Sequence, residues 1–336
     1  MKTIRNMYDK KLTYENLMKA HKKCRKGKSS RKDVILFNLK QEEYILWLYE
    51  KLKSGEYRHS GYSVFYVYEP KLRKIEKSKY IDRIVHRWVV DEFLYEYFVR
   101  GYIYHSYACI KGKGTHRAVL AVQKAMKHCD RIWDNWYILK MDIRKFFDNI
   151  DKGVLVEILR RKIQNKKLMK LIVEIVYSNG QDKGIAIVNF TSQIFANVYL
   201  HECDRYIKEE LRVKWYYRYM DDSILFCKTK EEAKELLVKI RSFLLERLKL
   251  ELNEKTQIFK GKQGVNFCGY KINGYRIKLR DRGKRNLKKK IKRLKKEIKE
   301  GKISSCESAK YLSGHMGYIQ IADKYNLVNK CLYNEL

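Results

Sequence analysis

Two adjacent acidic residues, Asp221 and Asp222, stand in the stretch YYRYMDDSILF at 216–226, between two short apolar and aromatic runs. Like charges side by side raise the free energy of a fold unless something neutralises them. A third carboxylate, Asp142, nearly closes the apolar run WYILKMDI at 136–143. If the runs around the pair are strands, the pair sits at the tip of an antiparallel hairpin and projects beyond the sheet. An Asp ending a neighbouring strand reaches the same point. Three carboxylates meeting there are the hard oxygen donors that hold Mg²⁺. Two such ions about 3.5–4 Å apart activate an attacking oxygen and steady a departing phosphate group. The alternative is plainer: Asp favours turns because its side chain hydrogen-bonds its own backbone.

The surrounding chain says what such a site would act on. Lys and Arg number 75 against 39 acidic residues in 336, a net charge of +36. A field of that size calls for a polyanion, either nucleic acid or an acidic membrane face; a merely solvated lysine surface is the competing reading. Hydrophobic residues make up 45%, enough for a packed core and too many for a disordered basic tail. No run of about 18 apolar residues could span a bilayer. The start, MKTIRNMYDKK, lacks the apolar core of a secretory signal. The eight cysteines are scattered, with no CxxC pair and no Cys/His cluster at zinc spacing. They read as reduced thiols, and a cytoplasmic location is expected. KGKGTH at 111–116 is not a nucleotide P-loop: Tyr107 stands where the first Gly is needed, and Gly114 follows Lys113 in place of Ser or Thr.

The elements that must position the carboxylates can be read coarsely. Helical spacing runs over 41–54 and stops at Gly55. GYSVFYVYEP reads as a strand stopped by Pro70, the only proline, and 83–99 reads as a helix. Thr115 is placed to cap the helix that follows the 112–114 glycines. Residues 136–143 form a strand ending at Asp142, FDNIDKGVLVEILRRKI turns into a helix, and another helix begins at Ser192. WYYRYM and SILFC form the acidic-tipped hairpin, and 230–248 is an amphipathic helix. Short strands follow around NFCGYKI and YRIKL, then a basic helix, LKKKIKRLKKEIKEGK, and helix to the end. Residues 19–33, basic and poor in core positions, read as an arm or an exposed helix end. Strands and helices mix without strict βαβ alternation, so the fold class is α+β.

In this order the motifs resemble those of reverse transcriptases over about residues 60–330. YMDD at 219–222 and Asp142 in KMDIRKFFDNI resemble the palm; PKLRKI and YIDRIVH resemble the fingers; SYACIKGKGTHRA resembles a segment of bacterial retroelement enzymes; LELNEKT and NFCGY resemble the motif behind the palm and the primer grip. The resemblance implies a right-hand architecture: an N-terminal extension and fingers over 1–135, a palm with an antiparallel sheet over 136–275 (with a helical stretch at about 151–180), and a helical thumb over 276–336. It implies that Asp142, Asp221 and Asp222 hold two Mg²⁺ ions with the Ile143 carbonyl, and that Lys255 lies near the leaving pyrophosphate as an acid. Lys71, Arg73 and Arg83 would clamp the incoming triphosphate, as planar and point-charge donors do. Phe147 would be the steric gate against the ribose 2′-hydroxyl, its alternative being an ordinary core Phe beside Phe146. Phe267, Cys268 and Gly269 would form the primer grip.

The stretch GIAIVNFTSQIFANVYL narrows the lineage. Most reverse transcriptases have Gln, Gly and later Ser-Pro where this chain has Ile187, Val188, Ser192 and Gln193. The Asn-x-x-Ser-Gln ending, Asn189 to Gln193, resembles the diversity-generating retroelement type, whose enzymes make adenine-mutagenised cDNA from a template RNA for mutagenic retrohoming. Ile187 and Gln193 would then lie beside the nucleotide, and a branched apolar Ile cannot hydrogen-bond the sugar as Gln does. Ala186 and Val188 depart from that lineage, which has Pro and Gly there. Partners implied are template RNA, the cDNA/RNA hybrid, dNTPs and a small basic oligomeric accessory protein. The alternatives are a retron-like or phage-defence (abortive-infection) enzyme without targeted mutagenesis, and a catalytically silent RNA-binding scaffold.

Overall fold

The helical period of QEEYILWLYEKLKS is realised as helix Gln41–Ser54, which buries Ile45, Leu48 and Leu52 and ends at Gly55 in the left-handed conformation, φ +73°. It belongs to a computed structural model that describes residues 3–68, 72–323, 325, 328 and 329. The chain is mixed α and β and divides into two compact units, each built from three segments. The first comprises Met1–Tyr104, Ile143–Arg212 and Lys239–Asn253; the second comprises His105–Asp142, Val213–Val238 and Glu254–Leu336. No described helix is long and apolar enough to cross a membrane.

The first unit is mostly helical. Helix Phe190–Arg205 runs through its centre, with residues buried on every side from Thr191 to Asp204. Helix Tyr80–Val89 packs against it and continues through a π-helical turn, Val90–Leu94, into Tyr95–Val99. The helix expected over 83–99 thus starts three residues earlier. The basic stretch 19–33 is not simply an arm. Its first part belongs to helix Tyr14–Arg25, capped by Thr13, which buries Ala20 and His21 and leaves Lys22 and Lys23 exposed. Its last residues open helix Lys32–Leu39. Among the described residues of the unit a hairpin joins β1 (Tyr62–Val67) to β2 (Arg73–Ser78), with Tyr62 opposite Ser78 at the base and Val67 opposite Arg73 at the far end.

The second unit is built on two antiparallel sheets. The larger has strand order β4-β5-β3-β6, where β3 is Tyr137–Asp142, β4 Tyr216–Tyr219, β5 Asp222–Cys227 and β6 Gln257–Lys260. β3 lies between two neighbours and is apolar where it is buried, at Ile138, Leu139 and Met141. The smaller sheet contains β7 (Val265–Phe267), β8 (Tyr270–Ile272) and β9 (Ile277–Leu279). Helix Thr115–Ile132 packs on both through Val119, Val122 and Met126. Trp136, Ile138, Phe226, Phe267 and Tyr270 share that core with Leu287 and Ile291 of the basic helix Asp281–Lys299. Thr115 does not cap its helix. Gly114 holds the N-cap position at φ +125°, and the Thr115 hydroxyl instead donates to the Tyr219 hydroxyl at 3.3 Å.

Candidate active site

β5 aligns the carboxylates. Asp142, the last residue of β3, is the register partner of Asp222, the first residue of β5. Facing Cα atoms in an antiparallel ladder lie about 4.5–5.5 Å apart. On its other side Asp222 faces Tyr219 of β4, leaving Met220 and Asp221 as a two-residue loop. Met220 is left-handed, φ +57°, a conformation that favours Gly, and its carbonyl accepts a 3.1 Å hydrogen bond from the buried Arg218 guanidinium. Asp142, Asp221 and Asp222 are all half-buried.

Burial pushes the Asp222 carboxyl up to about 6; the Lys140 ammonium opposes this, and Asp142 and Asp221 add repulsion. Lys140 stands two residues before Asp142, on the same face of β3. Its Nζ lies 3.1 Å from Oδ1 of Asp222 and donates to Oδ2 at 3.3 Å. The same ammonium donates to the Asn266 carbonyl of β7. Lys140 thus joins the carboxylate to strand β7, just before the β7–β8 turn. The Asp222 charge also reaches that turn, adding to burial in raising the Cys268 thiol. Lys140 was not singled out from sequence, although period-two alternation along β3 places it beside Asp142.

Among the described residues no three His, Cys, Asp or Glu side chains are gathered closely enough to enclose a metal ion. The donors present still suit a hard cation. Asp222 Oδ1 is buried with no hydrogen bond, and two carboxylates face each other across one ladder. Oδ1 is met by the Lys140 ammonium at 3.1 Å, and the charges of Asp142 and Asp221 stand beside it, so a further hard cation would be favourable there.

The β7–β8 turn is tightly built. Phe267 is buried in the core, Cys268 is left-handed at φ +48°, and Gly269 follows at φ +87°. A Cβ on Gly269 would strike the Tyr318 hydroxyl. Lys255 is exposed on the turn before β6.

The other sequence-derived residues belong to the first unit. Of the Phe146–Phe147 pair, Phe146 fills the core while Phe147 is half-buried against its edge, centroids 5.4 Å apart. The Phe147 carbonyl accepts from Ile185 N at 3.0 Å, and Ile150 O accepts from Gly184 N at 2.9 Å, which lays 147–150 along 184–185. Ile187 is half-buried and Val188 exposed, in a turn closed by Asn189 N donating to Ala186 O at 3.3 Å. Gln193 is half-buried on helix Phe190–Arg205. The Ile143 backbone bridges to Leu252. Arg73 is exposed at the start of β2. Arg83 is engaged within its unit: it donates to Asp33 and lies over the Tyr80 ring at 4.9 Å. Lys71 lies outside the described residues.

The family described as reverse transcriptase (RNA-dependent DNA polymerase) matches residues 69–272, more than half of the chain. Protein YkfC of Escherichia coli strain K12 is 23% identical over 50% of this chain and 54% of its own length. A putative COX1/OXI3 intron 2 protein of Saccharomyces cerevisiae is 23% identical over 50% of this chain and 27% of its own length. The group II intron-encoded protein LtrA of Lactococcus lactis subsp. cremoris is 22% identical over 69% of this chain and 50% of its own length. The chain therefore spans between 27% and 54% of these relatives.

Proposed function

The chain belongs to the reverse transcriptase family, and from that premise we propose that it is an RNA-directed DNA polymerase of the diversity-generating retroelement type. The observation that carries the polymerase reading is the Asp142–Asp222 register pair with Asp221 at the adjoining hairpin tip. In this reading Asp142, Asp221 and Asp222, with the Ile143 carbonyl, hold two Mg²⁺ ions. When bound, the ions lower the pKa of the primer 3′-hydroxyl and neutralise the departing pyrophosphate. Lys140 keeps Asp222 aligned with the β7–β8 turn, which serves as the primer grip through Phe267, Cys268 and Gly269. Lys71, Arg73 and Arg83 bind the triphosphate, Phe147 excludes the ribose 2′-hydroxyl, and Lys255 supplies a proton to the leaving group. Release of Arg83 from Asp33 is part of that assignment.

The exposed cations of helix Asp281–Lys299, among them Arg285, Lys288, Lys292 and Lys296, form a phosphate-binding face of the thumb. Fingers, palm and thumb correspond to 1–135, 136–275 and 276–336. The mutagenic lineage is supported by Ile187 and by Asn189 to Gln193. At Ile187 an apolar side chain replaces a hydrogen-bonding one beside the nucleotide. A small basic oligomeric accessory protein would share the template RNA, whose phosphates bridge two basic proteins.

The test is primer extension on a defined RNA with Mg²⁺ and dNTPs, followed by sequencing of the cDNA. The wild type extends, Asp222→Ala does not, and substitutions concentrate at template adenines. Extension by Asp222→Ala at the wild-type rate would refute the assignment of the carboxylates. An even error spectrum would refute the lineage and leave a polymerase without targeted mutagenesis.

A further inference from the structure

The Asn-x-x-Ser-Gln motif contains an asparagine to which the polymerase reading gives no role. Asn189 is 4% exposed, and its amide lies between both residues at the base of the β1–β2 hairpin. The Ser78 hydroxyl donates to Asn189 Oδ1 at 2.5 Å, and Asn189 Nδ2 donates to the Tyr62 hydroxyl at 3.4 Å. Tyr62 and Ser78 are the last register pair of the hairpin. The Tyr62 hydroxyl also meets that of Ser178 at 2.5 Å. Ser178 gives its proton to the Ile175 carbonyl at 2.7 Å, so Tyr62 must be the donor between them.

The direction of the whole chain is thereby fixed. It runs from Ser78 to Asn189 to Tyr62 to Ser178 and ends on a carbonyl in the last turn of helix Lys166–Tyr177. Turning the amide over would set its oxygen against a tyrosine whose only proton is already committed. A group in this place must accept on one side and donate on the other. An amide does both; the isosteric carboxylate does not. Asn189 also holds the N-cap position of helix Phe190–Arg205 with no side-chain cap bond, because its amide is engaged with the hairpin. Its own N–H closes the turn that carries Ile187 and Val188.

We propose that Asn189 is a positioning residue that clasps the Ile187 turn to the base of the hairpin carrying Arg73. It fixes the distance between two groups of the nucleotide pocket and touches no substrate itself. The link to nucleotide binding rests on the polymerase reading; the clasp does not. Backbone hydrogen exchange over 62–67 and 73–78 reads the clasp, and single-nucleotide incorporation reads its consequence. In Asn189→Ala and Asn189→Asp the hairpin amides exchange about tenfold faster than in the wild type. KM for dNTP rises about five- to tenfold while kcat stays within about twofold, the pattern of binding lost equally from ground and transition states. Asn189→Asp is no better than Asn189→Ala despite its shape. Tyr62→Phe keeps the ring stacked on His59, centroids 4.7 Å apart, and shows a smaller rise in exchange.

Wild-type exchange in Asn189→Ala overturns the clasp, as does full restoration by Asn189→Asp. If both Asn189 variants fail to fold, Tyr62→Phe decides, and unchanged hairpin exchange there overturns it. If the wild type extends no primer, the polymerase reading fails while the exchange measurement still judges the clasp.

Discussion

Replacing Asp222 by Asn separates what folding wants at the hairpin tip from what chemistry wants. The folded protein binds the Asp222 proton more tightly than the unfolded chain, since burial, with Asp142 and Asp221 beside it, outweighs the help of Lys140. The sign follows from linkage. The favourable contribution of the protonated form is fully present below the ordinary value of 3.8 and is lost as pH rises through about 6. Two pKa units correspond to about 3 kcal/mol. The side chain keeps 28% exposure, and Asn still offers Lys140 an acceptor but no charge, so the net gain on substitution is about 1–2 kcal/mol at pH 7.5 without divalent ions. That corresponds to a rise of about 1.5–3 °C in the unfolding temperature of a chain this long. Thermal or urea unfolding in chelator at pH 4, 6 and 8 measures it. The gain should shrink towards pH 4, Mg²⁺ should stabilise the wild type above pH 6 far more than the variant, and primer extension should vanish. A variant less stable than the wild type at pH 8, or a gain independent of pH, would show that Asp222 is not a strained charge.

Phe147→Ala should admit ribonucleotides, read as a fall of about tenfold or more in dNTP-over-rNTP selectivity; unchanged selectivity would place the gate elsewhere. Ile187→Gln should lower misincorporation opposite template adenine in the sequenced cDNA, and an unaltered error spectrum would remove that position from the account. Gly269→Ala should destabilise the fold by about 1–3 kcal/mol, because a left-handed Ala is strained and its Cβ meets the Tyr318 hydroxyl. An unfolding midpoint equal to that of the wild type would mean that the turn and Tyr318 move apart easily.

The sequence is informative where local chemistry decides. Helix Lys230–Leu248 has the expected bounds because its period is unbroken, and helix Gln41–Ser54 stops where Gly55 permits a left-handed residue. β3 ends at Asp142, as its apolar run requires. Sequence is silent where distant segments decide. That Asp142 faces Asp222 is a choice of register between strands eighty residues apart, and a slip of one would turn the carboxylates to opposite faces. Helix Phe190–Arg205 begins two residues before Ser192, behind Asn189, whose amide is held by the hairpin base and gives no cap bond that local sequence could signal. Thr115, a good cap by type, is drawn away to Tyr219. Lys140 looked like one of many cations, and only its contacts with Asp222 and the Asn266 carbonyl set it apart.

The same contacts explain how the second unit tolerates its least favourable local structure. Met220 and Cys268 are left-handed without being glycine, and each conformation costs about 1–2 kcal/mol. Both lie at turns next to Asp222, itself a half-buried carboxylate beside two others. The strands that leave these turns carry Ile224, Phe226, Phe267 and Tyr270 into one shared core with helix Thr115–Ile132. Relaxing either turn would pull apolar side chains of that core towards water, at about 1.5–3 kcal/mol for each large residue exposed. The core therefore outweighs the strain at both turns. The tip carboxylates are spaced by paired strands, and Lys140 ties the start of β5 to β7. Paired strands rather than loop segments set the Asp142–Asp222 separation, and the two-ion chemistry proposed for them would need that support, because a misplacement of about 1 Å can cost a reaction about a hundredfold.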